Sequence, residues 1–190
     1  MISTSSWTCL KNQGYKFAVV RAFQSTGNPD ANCPTSVANA HNAGISPVDV
    51  YMFPCPKCSA SASSQVSSAI NYLKDHSVKY SKFWLDIEGT QYWSSSTSTN
   101  QAFFNELVKQ AKSMGASVGV YTSSSQWSPI MGSSFHGGSD LPLWYAHYVC
   151  FQFHLFFFMI ISSPAQTIHL TLDFNIFYFI LITGWKYIFL

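Results

Sequence analysis

Two hydrophobic rhythms run along the first 148 positions. One consists of short runs rich in β-branched and aromatic residues: 16–23 (KFAVVRAF), 48–53 (VDVYMF), 83–88 (FWLDIE), 118–122 (VGVYT) and 143–148 (LWYAHY). Runs this short and this apolar predict strands buried on both faces. The other rhythm is helical. Residues 65–76 carry Val66, Ile70 and Leu73 at i, i+4 and i+7. Residues 100–114 carry Phe103, Leu107 and Ala111 at four-residue steps, after Ser98 and Thr99 as N-cap candidates and before Gly115 as a stop. Pro34 opens a shorter helix that ends before Gly44, and Gly14 closes one over 6–13. The strand starts recur every thirty-odd residues, the length of a βαβ unit. Repeated units of this kind build either a doubly wound sheet or a closed barrel. Polar and aromatic residues gather where strands end, at Asp86 and Glu88, Tyr121 and Thr122, and His147 and Tyr148. Function at the C-terminal ends of several strands marks a (β/α) barrel. No glycine-rich phosphate loop follows any strand, so no nucleotide site is indicated.

Composition divides the chain. Residues 1–148 read as one globular domain, and residues 149–190 as an apolar tail of no recognised fold. The tail holds 9 of the 16 phenylalanines, and Asp173 and Lys186 are its only charged side chains. Residues 149–161 and 174–190 are nearly all apolar, without helical or two-residue periodicity. The second run sits at the lower limit for a bilayer span, roughly 17–25 residues. Membrane contact is expected only if the tail is a genuine segment. Its mixture of Phe, Ile, Leu, Tyr and Asn is what translated AT-rich non-coding DNA yields. The expectation is therefore a retained intron or a misassigned gene boundary. Residues 1–7 (MISTSSW) contain no basic region followed by an apolar run, so no signal peptide is visible.

The net charge of +2, with 9% charged residues and no Lys/Arg run, argues against nucleic-acid binding. The cysteines are 9, 33, 55, 58 and 150. The first four allow two disulfides or free thiols. Cys55 and Cys58 have C-x-x-C spacing, but no second pair or His pair accompanies them, so a structural disulfide or a reduced pair is expected and no metal. No cofactor is implied.

The chemistry concentrates in residues 83–88. Alternation sends Phe83, Leu85 and Ile87 toward the helices, and Trp84, Asp86 and Glu88 into the barrel. Carboxylates two residues apart on a strand have Cα atoms ~6.6 Å apart, so both reach one bound substrate. In a partly dry site they repel, and one tends to keep its proton. Glycoside hydrolysis needs that arrangement: a protonated acid for the leaving oxygen and an ionised partner for the cationic transition state. A pair of solvated strand-end acids is the bland alternative, which the apolar strand makes weaker. Tyr92 and Trp93, in the loop after this strand, suit stacking on sugar faces, or Trp93 caps the barrel edge. Trp127 invites the same two readings. Trp144 and Tyr145 alternate on one strand and divide between pocket and core. Asp49 shares the face of Tyr51, as a pocket group or as a buried structural Asp.

With these residues in hand, the chain resembles glycoside hydrolase family 25, the lysozymes of the peptidoglycan glycan chain, in the subgroup found in amoebae and nematodes. The resemblance rests on GYKFAVVRAFQSTG (14–27), VDVYMFPC (48–55), FWLDIEGTQYW (83–93), VGVYTSSSQW (118–127) and LPLWYAHY (141–148). It implies Glu88 as the general acid and Asp86 as the carboxylate that assists the substrate N-acetyl group. It also implies that Tyr51, Tyr121, Trp144 and His147 line the groove. A monomer that acts on peptidoglycan is expected, secreted or in a lysosome or phagosome. Against the family pattern the chain matches barrel strands two to six. Met1 falls where the first strand would end, and Val149 begins the tail where strands seven and eight would follow. The expected fold is thus an incomplete TIM-like barrel with exposed edges. Tail segments could pair with those edges, but no pattern sets their register.

Two other readings compete. A catalytically inactive carbohydrate-binding fragment, or a product with no function, follows if the other site Asp residues are needed. A chitinase-like hydrolase also lines acids along one strand, but it uses a longer acidic run, and positions 81 and 84 here are Ser and Trp.

Overall fold

The computed structural model describes residues 1–146, together with the backbone of 159–161 and 186–189. His147, expected in the groove, and the rest of the tail lie outside the described residues. Five parallel strands follow one another in space as they do in sequence: β1 (Tyr15–Phe23), β2 (Val48–Met52), β3 (Phe83–Asp86), β4 (Val118–Thr122) and β5 (Leu143–Tyr145). Together they form a curled half-barrel. Two further strands lie at its edges. β6 (Met159–Ile161) runs antiparallel to β5, and β7 (Lys186–Phe189) runs parallel to β1.

The helices are α1 (Thr4–Asn12), α2 (Cys33–Asn42), α3 (Ala62–Asp75), α4 (Thr97–Ser113) and α5 (Ser124–Met131). Serine hydroxyls cap the starts of α1, α3 and α4. Ser3, Ser61 and Ser96 accept from the backbone N–H groups of Ser6, Ser64 and Thr99, satisfying donors that a first turn leaves orphaned. The expected caps of α4, Ser98 and Thr99, instead lie inside its first turn. Asn100 is buried there, and its amide nitrogen donates to Ser94 O (2.9 Å) and Ile130 O (2.8 Å). That ties α4 to α5. α5 is helical although it starts within the Ser-rich run 123–125 and contains Pro129. Burial of Ile130 and Met131 overrides weak helical propensity there.

Two apolar layers follow from strand alternation. Phe83, Leu85 and Ile87 join the larger core under the helices, with Val66, Ile70, Leu73, Phe104 and Leu107. Each such fully buried side chain contributes about 1.5–3 kcal/mol relative to exposure. Phe17, Val19, Tyr51, Trp84, Tyr121 and Trp144 form a second cluster on the inner face of the sheet. The strand register places Arg21, Tyr51, Trp84 and Gly119 side by side in one row, and Asp86, Tyr121 and Trp144 in the next row up. Neighbours in a parallel sheet share a face, so both rows line one inner surface.

Candidate active site

β3 ends at Asp86, two residues short of its expected end. The chain remains attached to β4 for one residue more. Ile87 N–H donates to Tyr121 O (2.9 Å), and Thr122 Oγ1 donates to Ile87 O (2.8 Å). Gly89 then turns the chain with a positive φ of 69°. Glu88 therefore stands at the mouth of the half-barrel, half-buried, with Asp86 below it on the same face.

Asp86 is 2% exposed, and its Oδ1 has no hydrogen-bond partner among the described residues. Burial, reinforced by the charge of Glu88, pushes Asp86 well above the usual carboxylate range. Burial also raises Glu88. The deeper carboxylate carries the stronger shift because it loses most hydration and also faces its neighbour's charge. Burial and mutual repulsion thus favour a single proton held by the two carboxyls of the unliganded site.

Tyr51, Tyr121 and Trp144 line the same inner face. Trp144 meets Tyr121 and Trp84 edge-on, at centroid separations of 4.9 and 5.6 Å. Burial pushes the Tyr51 hydroxyl up to about 12, in the combined fields of Arg21, Asp86, Asp30 and Glu88. Tyr92 is on the rim, 40% exposed, with its ring edge-on to Phe53 at 5.2 Å. Tyr145 turns away from the inner cluster, and its hydroxyl bonds Ser124 Oγ (3.0 Å).

Two expectations need correction, and one open alternative is decided. Trp93 does not lie on an exposed loop. It is 3% exposed in the core beneath the helices, perpendicular to Phe103, and its indole N–H donates to Glu88 O (3.0 Å). With both ring faces packed it has no surface for a sugar. Trp127 likewise stacks on Phe135 and meets Phe104 edge-on, in that outer core. Asp49 is the buried structural group: Oδ1 accepts from Lys82 N–H (2.9 Å) and Oδ2 from the Trp84 indole (2.8 Å). Of the open cysteine alternatives, Cys55 and Cys58 are bonded to each other, whereas Cys9 and Cys33 are free.

Sequence reading missed an ion pair at the rim. Arg21 Nε donates to Asp30 Oδ2 at 2.8 Å, and Asn32 N–H caps Asp30 Oδ1 at 3.0 Å. Burial pushes Asp30 up, but these bonds outweigh it and hold the carboxyl below its ordinary range. The guanidinium also interacts with Tyr51. Arg21 had a signal, since it interrupts an apolar strand at the parity of Phe17 and Val19; Asp30 in its polar loop had none. Met1, Ile2, Arg21, Asp30, Ser36 and Tyr51 border a cavity of about 300 Å³ beside the pair. No grouping of acidic, His and Cys side chains suited to a metal ion occurs among the described residues. No helix among them is long and apolar enough to cross a membrane.

Comparison with known proteins gives concordant matches. The family described as Lysozyme-like protein 1 matches residues 1–152. A probable GH family 25 lysozyme of Dictyostelium discoideum is 57% identical over 143 residues, covering 75% of this chain and 66% of that protein. The match thus spans about two thirds of that relative's length. Among solved structures, a muramidase from Trichobolus zukalii superposes with a TM-score of 0.63 at 22% identity, over 87% of this chain and 78% of the other. A family GH25 lysozyme from Aspergillus fumigatus gives 0.62 at 22% identity, over 85% and 74%.

Proposed function

The chain belongs to the glycoside hydrolase family 25 lysozymes, and on that footing we propose that it cleaves the glycan chain of bacterial peptidoglycan with Glu88 as general acid. The observation that carries this reading is Asp86 Oδ1, a buried acceptor without a partner among the described residues, directly beneath Glu88. A sugar N-acetyl group seated on the inner face would offer its amide N–H to that oxygen. Hydrogen bonding to the charged form stabilises it, so binding would draw Asp86 toward the carboxylate and leave the shared proton on Glu88. Asp86 then holds the N-acetyl group against the reacting carbon and offsets the positive charge that develops there. Glu88, at the mouth of the half-barrel, delivers its proton to the leaving oxygen. Tyr51, Tyr121 and Trp144 supply aromatic walls, and Tyr92 a rim contact. His147 belongs to the same proposed wall by resemblance alone.

In this reading β1–β5 are strands two to six of an eight-stranded (β/α) barrel, and residues 1–148 form its domain. The direct test is release of reducing ends from peptidoglycan by the chain and by Glu88→Gln, which keeps shape and removes the transferable proton.

A further inference from the structure

The residue that follows Glu88 is where the regular ladder has already ended, and two side chains from different elements take its place. The peptide unit joining Glu88 to Gly89 has one acceptor and one donor. The acceptor, Glu88 O, takes the Trp93 indole N–H at 3.0 Å. The donor, Gly89 N–H, gives to Gln126 Oε1 at 2.8 Å. The peptide plane is therefore clamped on both edges. Trp93 is itself fixed, buried at 3% and perpendicular to Phe103 of α4 at 6.1 Å. Gln126 sits in the first turn of α5, directly after β4. A glycine is required at the pivot, because a Cβ on Gly89 would come within 2.7 Å of Tyr92 Cδ2 and φ is positive. On the other side of Glu88, Thr122 Oγ1 and Tyr121 O hold the Ile87 carbonyl and amide.

We propose that Trp93 and Gln126 are positioning residues for Glu88, fixing the peptide plane that aims its carboxyl at the glycosidic oxygen. The proposal rests on the reading of Glu88 as the acid. Two side-chain bonds to one peptide unit fix the direction in which the preceding Cα–Cβ bond leaves the chain. Proton delivery is sensitive to such placement, and a 1 Å error can cost about 10²-fold in rate. Without the clamp the turn at Gly89 is free to relax, and Glu88 swings from its half-buried setting toward water.

The test uses Trp93→Phe, which keeps an aromatic ring but removes the indole N–H, and Gln126→Met, which keeps length and removes the acceptor. Gln126→Glu retains an acceptor and serves as the rescue. Peptidoglycan hydrolysis is followed across pH, and the Glu88 side-chain carboxyl carbon is titrated by NMR in the same proteins. The expected result is kcat lowered about 10–100-fold in the first two variants with KM little changed, and kcat retained in Gln126→Glu. The alkaline limb of the pH profile, and the Glu88 titration midpoint, should move to lower pH, since a rehydrated carboxyl ionises more easily. A merely structural role would lower the folded fraction and leave both midpoints in place. If Glu88→Gln abolishes hydrolysis while Trp93→Phe and Gln126→Met keep the wild-type kcat and limb, the positioning role is overturned. If Glu88→Gln leaves hydrolysis intact, or the wild type shows none, the acid reading is what has failed. The NMR midpoint then decides alone: a fall in both variants supports the clamp, and unchanged midpoints overturn it.

Discussion

Asp49 Oδ2 accepts the indole N–H of Trp84 at 2.8 Å, at the base of the inner face, two rows below Asp86. Its other oxygen accepts Lys82 N–H. Burial raises Asp49, and these two donors oppose the rise. Removing the carboxylate would strand both donors in a buried setting, at about 1–3 kcal/mol each. Asp49→Ala should therefore lose about 2–4 kcal/mol in urea unfolding. Asp49→Asn retains one acceptor and should lose less. Equal stability of Asp49→Ala and wild type would show that Trp84 is held by packing alone.

Trp84 also explains Gly119. The two are register partners on adjacent strands, and a Cβ on Gly119 would fall 2.4 Å from Trp84 Cζ3. The ring lies directly against the glycine backbone, so Gly119→Ala must displace it. A cost of about 1–3 kcal/mol is expected from overpacking, with altered near-UV tryptophan signals. Unchanged stability and spectrum would mean that the ring moves aside freely.

Asp86 should make stability depend on pH with a definite sign. Its folded-state pKa is raised, so below the ordinary carboxylate range it is neutral in both states and costs nothing. As pH rises toward and through the raised value, the unfolded chain ionises freely while the native site resists, so stability falls. From about pH 4 upward the urea midpoint should decline more in the wild type than in Asp86→Asn. Parallel declines would place the titration elsewhere.

Much of this arrangement was legible in the sequence because it depends on local period. The two-residue alternation in 83–88 separates Phe83, Leu85 and Ile87 from Trp84 and Asp86, and the two apolar clusters divide along that line. The steps of α3 were equally readable, whereas in α4 the core takes Phe104 with Leu107 and Ala111 and leaves Phe103 only partly buried. What escaped depends on long-range geometry. Trp93 reads as exposed because it follows Gly89 in a polar loop. Its burial comes from α4, which folds back over it. Gln126 sits among serines, and only the proximity of α5 to the turn after β3 gives it a partner. Arg21 and Asp30 pair across a loop whose path no periodicity encodes.

Gln65 offers a test of how the loop after β2 is held. Its side chain is buried and accepts from Cys55 N–H (2.9 Å) while donating to Cys55 O and Ala60 O (2.9 Å each). One amide thus satisfies three backbone groups beside the Cys55–Cys58 bond. Gln65→Leu keeps the volume and abandons all three, with an expected loss of about 2–4 kcal/mol and faster exchange of the Cys55 amide. A loss under about 0.5 kcal/mol, the size of an ordinary surface change, would show that water replaces the amide at little cost.

The central claim is that Glu88 delivers the proton that breaks a glycosidic bond in peptidoglycan. It is tested most directly by measuring new reducing ends from purified bacterial cell wall with the wild-type chain and Glu88→Gln side by side. The expected result is release by the wild type and a loss of about 10²–10⁴-fold in the variant. Release that survives Glu88→Gln undiminished, or no release by the wild type, would contradict it.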